Sequence, residues 1–426
     1  MNSQDFVKYS LQITFMLAAA LFCGQLARRF KQPTVLGEML GGILIGPTLL
    51  GLLAPGLYQW LFLASENVTI LRDASIKLGM LFFLFTAGLE VDLSEIRRLG
   101  RKAALIGLVG TLLPILVGVG LVYLLPRDFW GPVVGQHLFS FSLFIGMNLA
   151  NSANPVIARV LMDLGLLKGD IGTVIMSATV VDDLINWTLF AVILSDIAPS
   201  GQAGPGSSIP LAIGLVLGFF FLVLTLGRWL GPRALHWARH HVSWPSGFIA
   251  LTALLILAAG SLSEWLGIHA FLGAFLTGAA LSGSGRDHHE AHEVISHFVM
   301  SFFAPIYFVS MGMMANFAAH FDWVLVLLIL VVACASKVGG VLLGARLAGM
   351  RPDREVWAIG FGLNARGATG VILAGIGLAN QMIDERIFVS IMVMALVTSL
   401  MAGPLMNTLL AKPGTVKVLP GEVVGK

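Results

Sequence analysis

DIGTVIMSATVVDDLINWTLFAVILSDI, residues 170 to 197, governs how the rest of the chain is read. At about 1.5 Å per residue, a helix of this length outspans the roughly 30 Å hydrocarbon core of a bilayer. Its central acids, Asp182 and Asp183, then stand near mid-membrane. A lone carboxylate there costs on the order of 2.5–3.5 kcal/mol on insertion scales, so such residues are normally paired or line a wet cavity. Adjacent helical residues point about 100° apart, so the two acids cannot face one partner equally. A carboxylate in that setting can be occupied by either a proton or a hard cation, and that competition is the minimal mechanism of ion exchange.

Outward from this segment the pattern repeats. Of the 426 residues 57% are hydrophobic and only 12% charged, about half the charge of a soluble domain. Apolar runs predict spans near 9–27, 34–53, 74–90, 102–125, 137–164, 170–197, 208–230, 246–262, 267–284, 293–316, 322–348, 355–379 and 385–411. The expected fold is therefore an all-α integral membrane protein of about thirteen helices. The run Leu11 to Leu26 lacks a small-residue cleavage site and is followed by more spans, so it is read as a retained helix. Cys23 and Cys334 lie in apolar runs and imply neither a disulfide nor a thiolate site. The net charge of +3 reflects loop lysines and arginines and does not suggest nucleic acid.

Arg28, Arg29, Lys31, Arg97, Arg98, Arg101, Lys102, Lys168, Arg228, Arg233, Arg239, Arg286, Arg346, Arg351, Arg354, Lys412, Lys417 and Lys426 collect on one side. Lys8, Arg72, Lys77, Arg127 and Arg386 lie on the other. The richer side is expected to be cytoplasmic, with the N-terminus outside and the C-terminus inside. Spans one to six and eight to thirteen start seven crossings apart, the arithmetic of an inverted repeat. The expected organisation is a single transmembrane domain over 1–426, with a first repeat at 9–197, a linking helix at 208–230 and a second repeat at 246–411. A short cytoplasmic tail, 412–426, follows. Transporters built this way bind substrate where helices are interrupted in matching positions of the two halves. Span five is interrupted by Asn148, Asn151, Ser152, Asn154 and Pro155, and span twelve by Gly360, Gly362, Asn364, Arg366, Gly367 and Gly370.

Lys337, in VVACASKVGGVL, is the one lysine read at mid-membrane depth and the natural counter-ion for one aspartate. It can itself gain and lose a proton during transport, or simply tie two helices together. Glu38 begins a glycine-rich span and reads as a structural, interfacial acid. Arg159 and Asp163 form a potential i,i+4 pair. Arg366 is expected to anchor the interrupted backbone of span twelve. The stretch Asp287, His288, His289, Glu290, His292, Glu293 and His297 reads as a solvated cytoplasmic loop or a pH sensor. The 49 glycines suit close helix packing.

The motifs QPTVLGEMLGGILIGPTLLG (32–51), LFFLFTAGLEVDLSEIRR (81–98), NPVIARVLMDLGLL (154–167) and SATVVDDLINW (177–187) occur in this order. LGIHAFLGAFLTGAALS (266–282), PIYFVSMGM (305–313) and NARGATGVILA (364–374) follow. Together they resemble the monovalent cation:proton antiporters of the second antiporter superfamily, relatives of bacterial sodium/proton exchangers, Kef systems and plant cation/proton exchangers. The resemblance covers essentially the whole chain. It implies a homodimer in which a dimerisation domain holds a mobile core domain that carries the ion by an elevator-like movement. It also implies that Asp183 binds the cation (Na⁺ or K⁺) and the proton, and that Asp182 pairs with Lys337. Asn151, Ser152, Asn154 and Asn364 would line the interrupted-helix site. An acid pair with a lysine resembles electrogenic sodium/proton exchange, whereas NPVIARVL is plant-exchanger-like and leaves K⁺/H⁺ exchange as the alternative. RGA at 366–368 departs from the family's commoner RGE.

The implied activity is antiport of Na⁺ or Li⁺ for H⁺ across a bacterial cytoplasmic membrane, with lipid as solvent and no cofactor. The chain contains no HExxH, GxSxG or GxxxxGK[ST] pattern, so an enzyme or ATP-driven pump is not suggested. A cation channel is the remote alternative; it would want a symmetric pore and has no obvious use for a midplane lysine beside two aspartates.

Overall fold

In the computed structural model the described residues are 3–30, 32, 34–63, 66–89, 93–131, 134, 137–153, 156–157, 160–161, 164, 166, 169–197, 246–265, 270–281, 289–314 and 316–410, with scattered positions between 214 and 237. They are helical, without strands. The helices are α1 (Ser3–Arg29), α2 (Thr34–Ile45), α3 (Glu66–Leu89), α4 (Leu93–Leu124), α5 (Leu138–Ala150), α6 (Asp170–Ile197) and α7 (Ser246–Trp265). They continue with α8 (Ala270–Leu281), α9 (His289–Phe298), α10 (Ala304–Met313), α11 (Trp323–Leu347), α12 (Arg354–Leu363), α13 (Ala368–Ala379) and α14 (Glu385–Leu410). Among the described residues, six segments are long and apolar enough to cross a membrane: 3–29, 34–53, 101–124, 295–313, 323–347 and 385–410. Asn154, Arg159, Asp163, Asp287, His288, most of span seven and the tail 412–426 lie outside the described residues.

Polarity is arranged inside out. Phe22, Leu116 and Leu124 are exposed at 71%, 66% and 81%, while Asn151, Ser152, Asp182, Asn186, Lys337, Asn364 and Arg366 are buried. Where lipid is the solvent, backbone groups must be satisfied within helices, and polar side chains must find partners in the protein. Several helices run past the apolar windows that predict them. α3 begins at Glu66, eight residues before the apolar run at 74, because its backbone ladder continues into polar surroundings at no cost. Between α9 and α10 the chain makes a π-turn at Val299–Phe303, directly before Pro305. Proline has no N–H for the preceding turn, and the wider turn absorbs that loss.

The helices pack in two groups. α4, α5, α6, α11, α12, α13 and α14 pack on one another, and α1, α2, α3, α8 and α10 form the other set, with α7 on α8. The groups meet where α10 touches α13 and where Trp187 of α6 faces Phe275 of α8, ring centroids 6.0 Å apart. They are also bridged at one end. The turn Phe317–His320, tied to the turn that follows α2 by the bond from Phe317 N to Thr48 Oγ1, brings His320 Nδ1 to 2.8 Å from Glu385 Oε2 at the start of α14. Beside it Arg386 meets Asp322 at 3.1 Å. In the histidine-rich stretch the structure describes the side chains of Glu293 and His297, which are exposed and 3.6 Å apart on one helix face.

Glycine closes several crossings, two of them in the same reciprocal way. At the α2–α10 crossing a side-chain carbon on Gly42 would strike the Val309 carbonyl oxygen, and one on Gly312 the Met39 carbonyl oxygen. The α3–α8 crossing repeats this, with Gly88 against the Phe275 carbonyl and Gly278 against that of Phe85. Small residues let backbones touch, which in lipid replaces the hydrophobic drive to associate. Gly312→Val is therefore expected to destabilise the protein by about 1–3 kcal/mol through overpacking. Gly339→Ala, at a position with open space, is expected to be tolerated. Thermal melts of the two detergent-purified variants check the contrast, and equal melting points would show that the crossing yields freely.

Candidate functional site

The site begins with two broken helices. α5 ends at Ala150, and the chain leaves the helix at Asn151 (φ −58°, ψ 140°). α12 ends at Leu363, and α13 starts at Ala368. The two breaks lie against each other: Ala153 N donates to Ala365 O at 2.9 Å and Ser152 Oγ donates to Leu363 O at 2.7 Å. On α14, Ser399 Oγ donates to Arg366 O at 2.7 Å. Broken helices leave terminal carbonyls without intrahelical donors, and the partial negative charge of each C-terminus gathers there.

Two cations meet that need. Arg366 Nη1 donates to Asn364 Oδ1 at 2.6 Å and to Asn364 O at 3.2 Å. Its Nη2 donates to Leu149 O and, at 2.9 Å, to Ala333 O. One guanidinium thus joins the ends of α5 and α12 to the middle of α11, a task for which its planar fork suits it better than an ammonium. Lys337 reaches the same helix end from the other side: Nζ lies 2.5 Å from Ala150 O and 2.6 Å from Asp182 Oδ2. Its position follows from packing. Lys337, Gly340 and Gly344 share one face of α11, and the two glycines let that face close on the Val109 and Leu105 carbonyls of α4.

The same logic presents the aspartates. Gly107 of α4 sits against Ala178 and Val181 of α6, and one turn on Thr111 Oγ1 donates to Asp182 Oδ1, its single hydrogen shared with Gly107 O at 2.7 Å. Asp182 is held through both oxygens, by Thr111 and by Lys337. Asp183 is also buried, at 4% exposure, and lies within electrostatic reach of both Asp182 and Lys337. With both acids ionised, Asp182, Asp183, Lys337 and Arg366 sum to zero formal charge. One further cation or proton on Asp183 makes the group singly positive. A proton and a monovalent cation are therefore electrically interchangeable on that carboxylate.

Of the residues the sequence singles out, Asp182, Asp183, Lys337, Asn151, Ser152, Asn364 and Arg366 come together here. Asn154 lies outside the described residues. Glu38 is elsewhere, buried on α2 and facing Gly24 of α1. The sequence reading did not single out Thr111 or Asn186. Thr111 carries no local signal, because only the α4–α6 crossing brings it to Asp182. Asn186 could have been found from its spacing, three residues after Asp183 and so on the same helix face.

Between the two helix groups lies a cavity of about 880 Å³, lined among others by Arg72, Lys77, Glu264, Tyr307, Asn380 and Gly375. Neither aspartate nor Lys337 lines it. Its lining from α13 is Gly375, Ile376, Ala379 and Asn380, at the end of that helix away from the crossing.

The chain matches the sodium/hydrogen exchanger transmembrane family over residues 17–412. It is 33% identical over 403 residues to Cation/H(+) antiporter 18 of Arabidopsis thaliana, covering 92% of this chain and 48% of that protein. The chain thus spans about half the length of the plant relatives it matches. With the Na(+)/H(+) antiporter NhaS4 of Synechocystis sp. it shares 29% identity, across 97% of this chain and all of the relative. The fold matches the sodium proton antiporter MjNhaP1 of Methanocaldococcus jannaschii with a TM-score of 0.65 at 15% identity, over 96% of this chain and 100% of that one. An inside-out helical bundle with two broken helices crossed at a buried acid pair, matched over nearly its full length, makes this chain an integral membrane member of the sodium/hydrogen exchanger transmembrane family.

Proposed function

We propose that the chain is a secondary antiporter that exchanges Na⁺ or Li⁺ for H⁺. The observation that carries this reading is the division of labour in the acid pair. Lys337 and Thr111 hold Asp182, while Asp183 projects about 100° away around α6 and can take either a proton or a cation. Competition for one carboxylate couples the two flows, since each ion must leave before the other binds. The relatives described as Na(+)/H(+) antiporters favour sodium, and the plant-exchanger-like NPVIARVL stretch keeps K⁺/H⁺ exchange as the second reading.

The same reading extends to architecture. The reciprocal contacts of α2 with α10 and α3 with α8, each closed by a facing pair of glycines, support two inverted repeats. Sparse bridging between the two helix groups supports a core that slides against a scaffold, and Arg366 and Glu38 are assigned structural roles. The basic bias of the Arg97–Lys102 side supports a cytoplasmic C-terminus in a bacterial inner membrane, and a homodimer is the assembly proposed. Exchange is assigned as electrogenic, because Lys337 supplies a second group able to carry a proton beside Asp183.

Asp183→Asn is expected to abolish cation-driven proton flux in proteoliposomes carrying a trapped pH dye, with the protein still folded; retained flux would sink the mechanism. Electrogenicity is tested with potassium–valinomycin potentials of opposite sign and Na⁺ as the transported ion. Each net charge moved is worth about 2.3 kcal/mol per 100 mV, so wild-type end points should separate with sign. A neutral residue at position 337 should remove that separation. Identical wild-type end points at both signs would return Lys337 to a static ion-pair role.

A further inference from the structure

Asn186 lies one turn beyond Asp183 on α6, and its side chain is buried at 1% exposure. Residues three apart on a helix share a face, so Asn186 stands on the Asp183 face of α6. Across from it is Asn151, the first residue beyond the end of α5. The two amides barely touch: Asn186 Nδ2 stands 3.5 Å from Asn151 Oδ1, at the outer limit of a hydrogen bond. Among the described residues, Asn186 Oδ1 and Asn151 Nδ2 have no hydrogen-bond partner. A buried polar atom in that condition costs about 1–3 kcal/mol. The surroundings hold the amide in place: a side-chain carbon on Gly370 of α13 would stand 3.1 Å from Asn151 Nδ2.

We propose that Asn186 Oδ1 is a neutral oxygen ligand of the transported cation, bound beside the Asp183 carboxylate. This rests on the exchange reading above and adds the residue that separates cation from proton. A proton on Asp183 needs one carboxylate oxygen. A dehydrated monovalent cation needs several oxygens, and discriminates by their number and field strength. Removing a neutral oxygen therefore weakens the cation and leaves the proton untouched.

The test uses the full chain in proteoliposomes with Na⁺, Li⁺ and K⁺, alongside Na⁺-dependent melting of the detergent-purified protein. Asn186→Ala is expected to raise the cation KM about tenfold with little change in maximal rate, consistent with losing one buried polar contact. It should also lose most of the Na⁺-induced rise in Tm while keeping the wild-type Tm without Na⁺. Asn186→Asp retains an oxygen and should keep a low KM. Asn186→Ser, with its oxygen set further back, should resemble alanine and serves if the alanine variant does not fold. Wild-type exchange with an unchanged KM in the alanine and serine variants overturns the Asn186 assignment alone. A lower maximal rate at unchanged KM overturns it too, by making Asn186 a positioning residue. Absence of cation-driven proton flux in the wild type overturns the exchange reading itself.

Discussion

The buried contact of Lys337 with Asp182 and with the Ala150 carbonyl is the point on which the rest of the site depends. Each of its members would be costly alone in hydrocarbon: a carboxylate, an ammonium and an unsatisfied helix end. Together they neutralise one another, and the arrangement fixes where α6 and α11 stand relative to broken α5. Breaking such a pair by removing one partner leaves an uncompensated buried charge, which is far worse than never having made the pair. The glycines of α11 and α4 exist in this light to bring the lysine and Thr111 within reach.

From that neutralised frame follows the separate standing of Asp183. A site with two equivalent acids would share its ligands and couple nothing cleanly. Here helix geometry divides the pair, with one acid committed to structure and its neighbour turned to another face. Arg366 performs a parallel service at the second broken helix, where a fork of donors gathers carbonyls from three elements. The crossing is thereby rigid in its backbone, while the chemistry rests on side chains.

The apolar windows made the helical class legible, and the two acids in the middle of one window marked the site before any fold was known. Helix ends were less legible, as at Glu66, because a backbone ladder does not stop where hydrophobicity does. Asn186 was within reach of the helical spacing rule, yet nothing in its local sequence distinguishes it from a packing asparagine. Thr111 was beyond reach, since it meets Asp182 only across 71 residues of chain.

What the sequence by itself determined is the bilayer as solvent; it also singled out Asp182, Asp183 and Lys337, which the structure buries together. Composition and spacing suffice for these because the cost of charge in hydrocarbon is so large that few arrangements remain. Only the tertiary structure decided which aspartate the lysine takes, which carbonyls Arg366 satisfies and which amide stands across from Asn186. Those choices are made by close helix crossings, where a missing side chain at Gly340 or Gly107 sets distances that no one-dimensional pattern encodes.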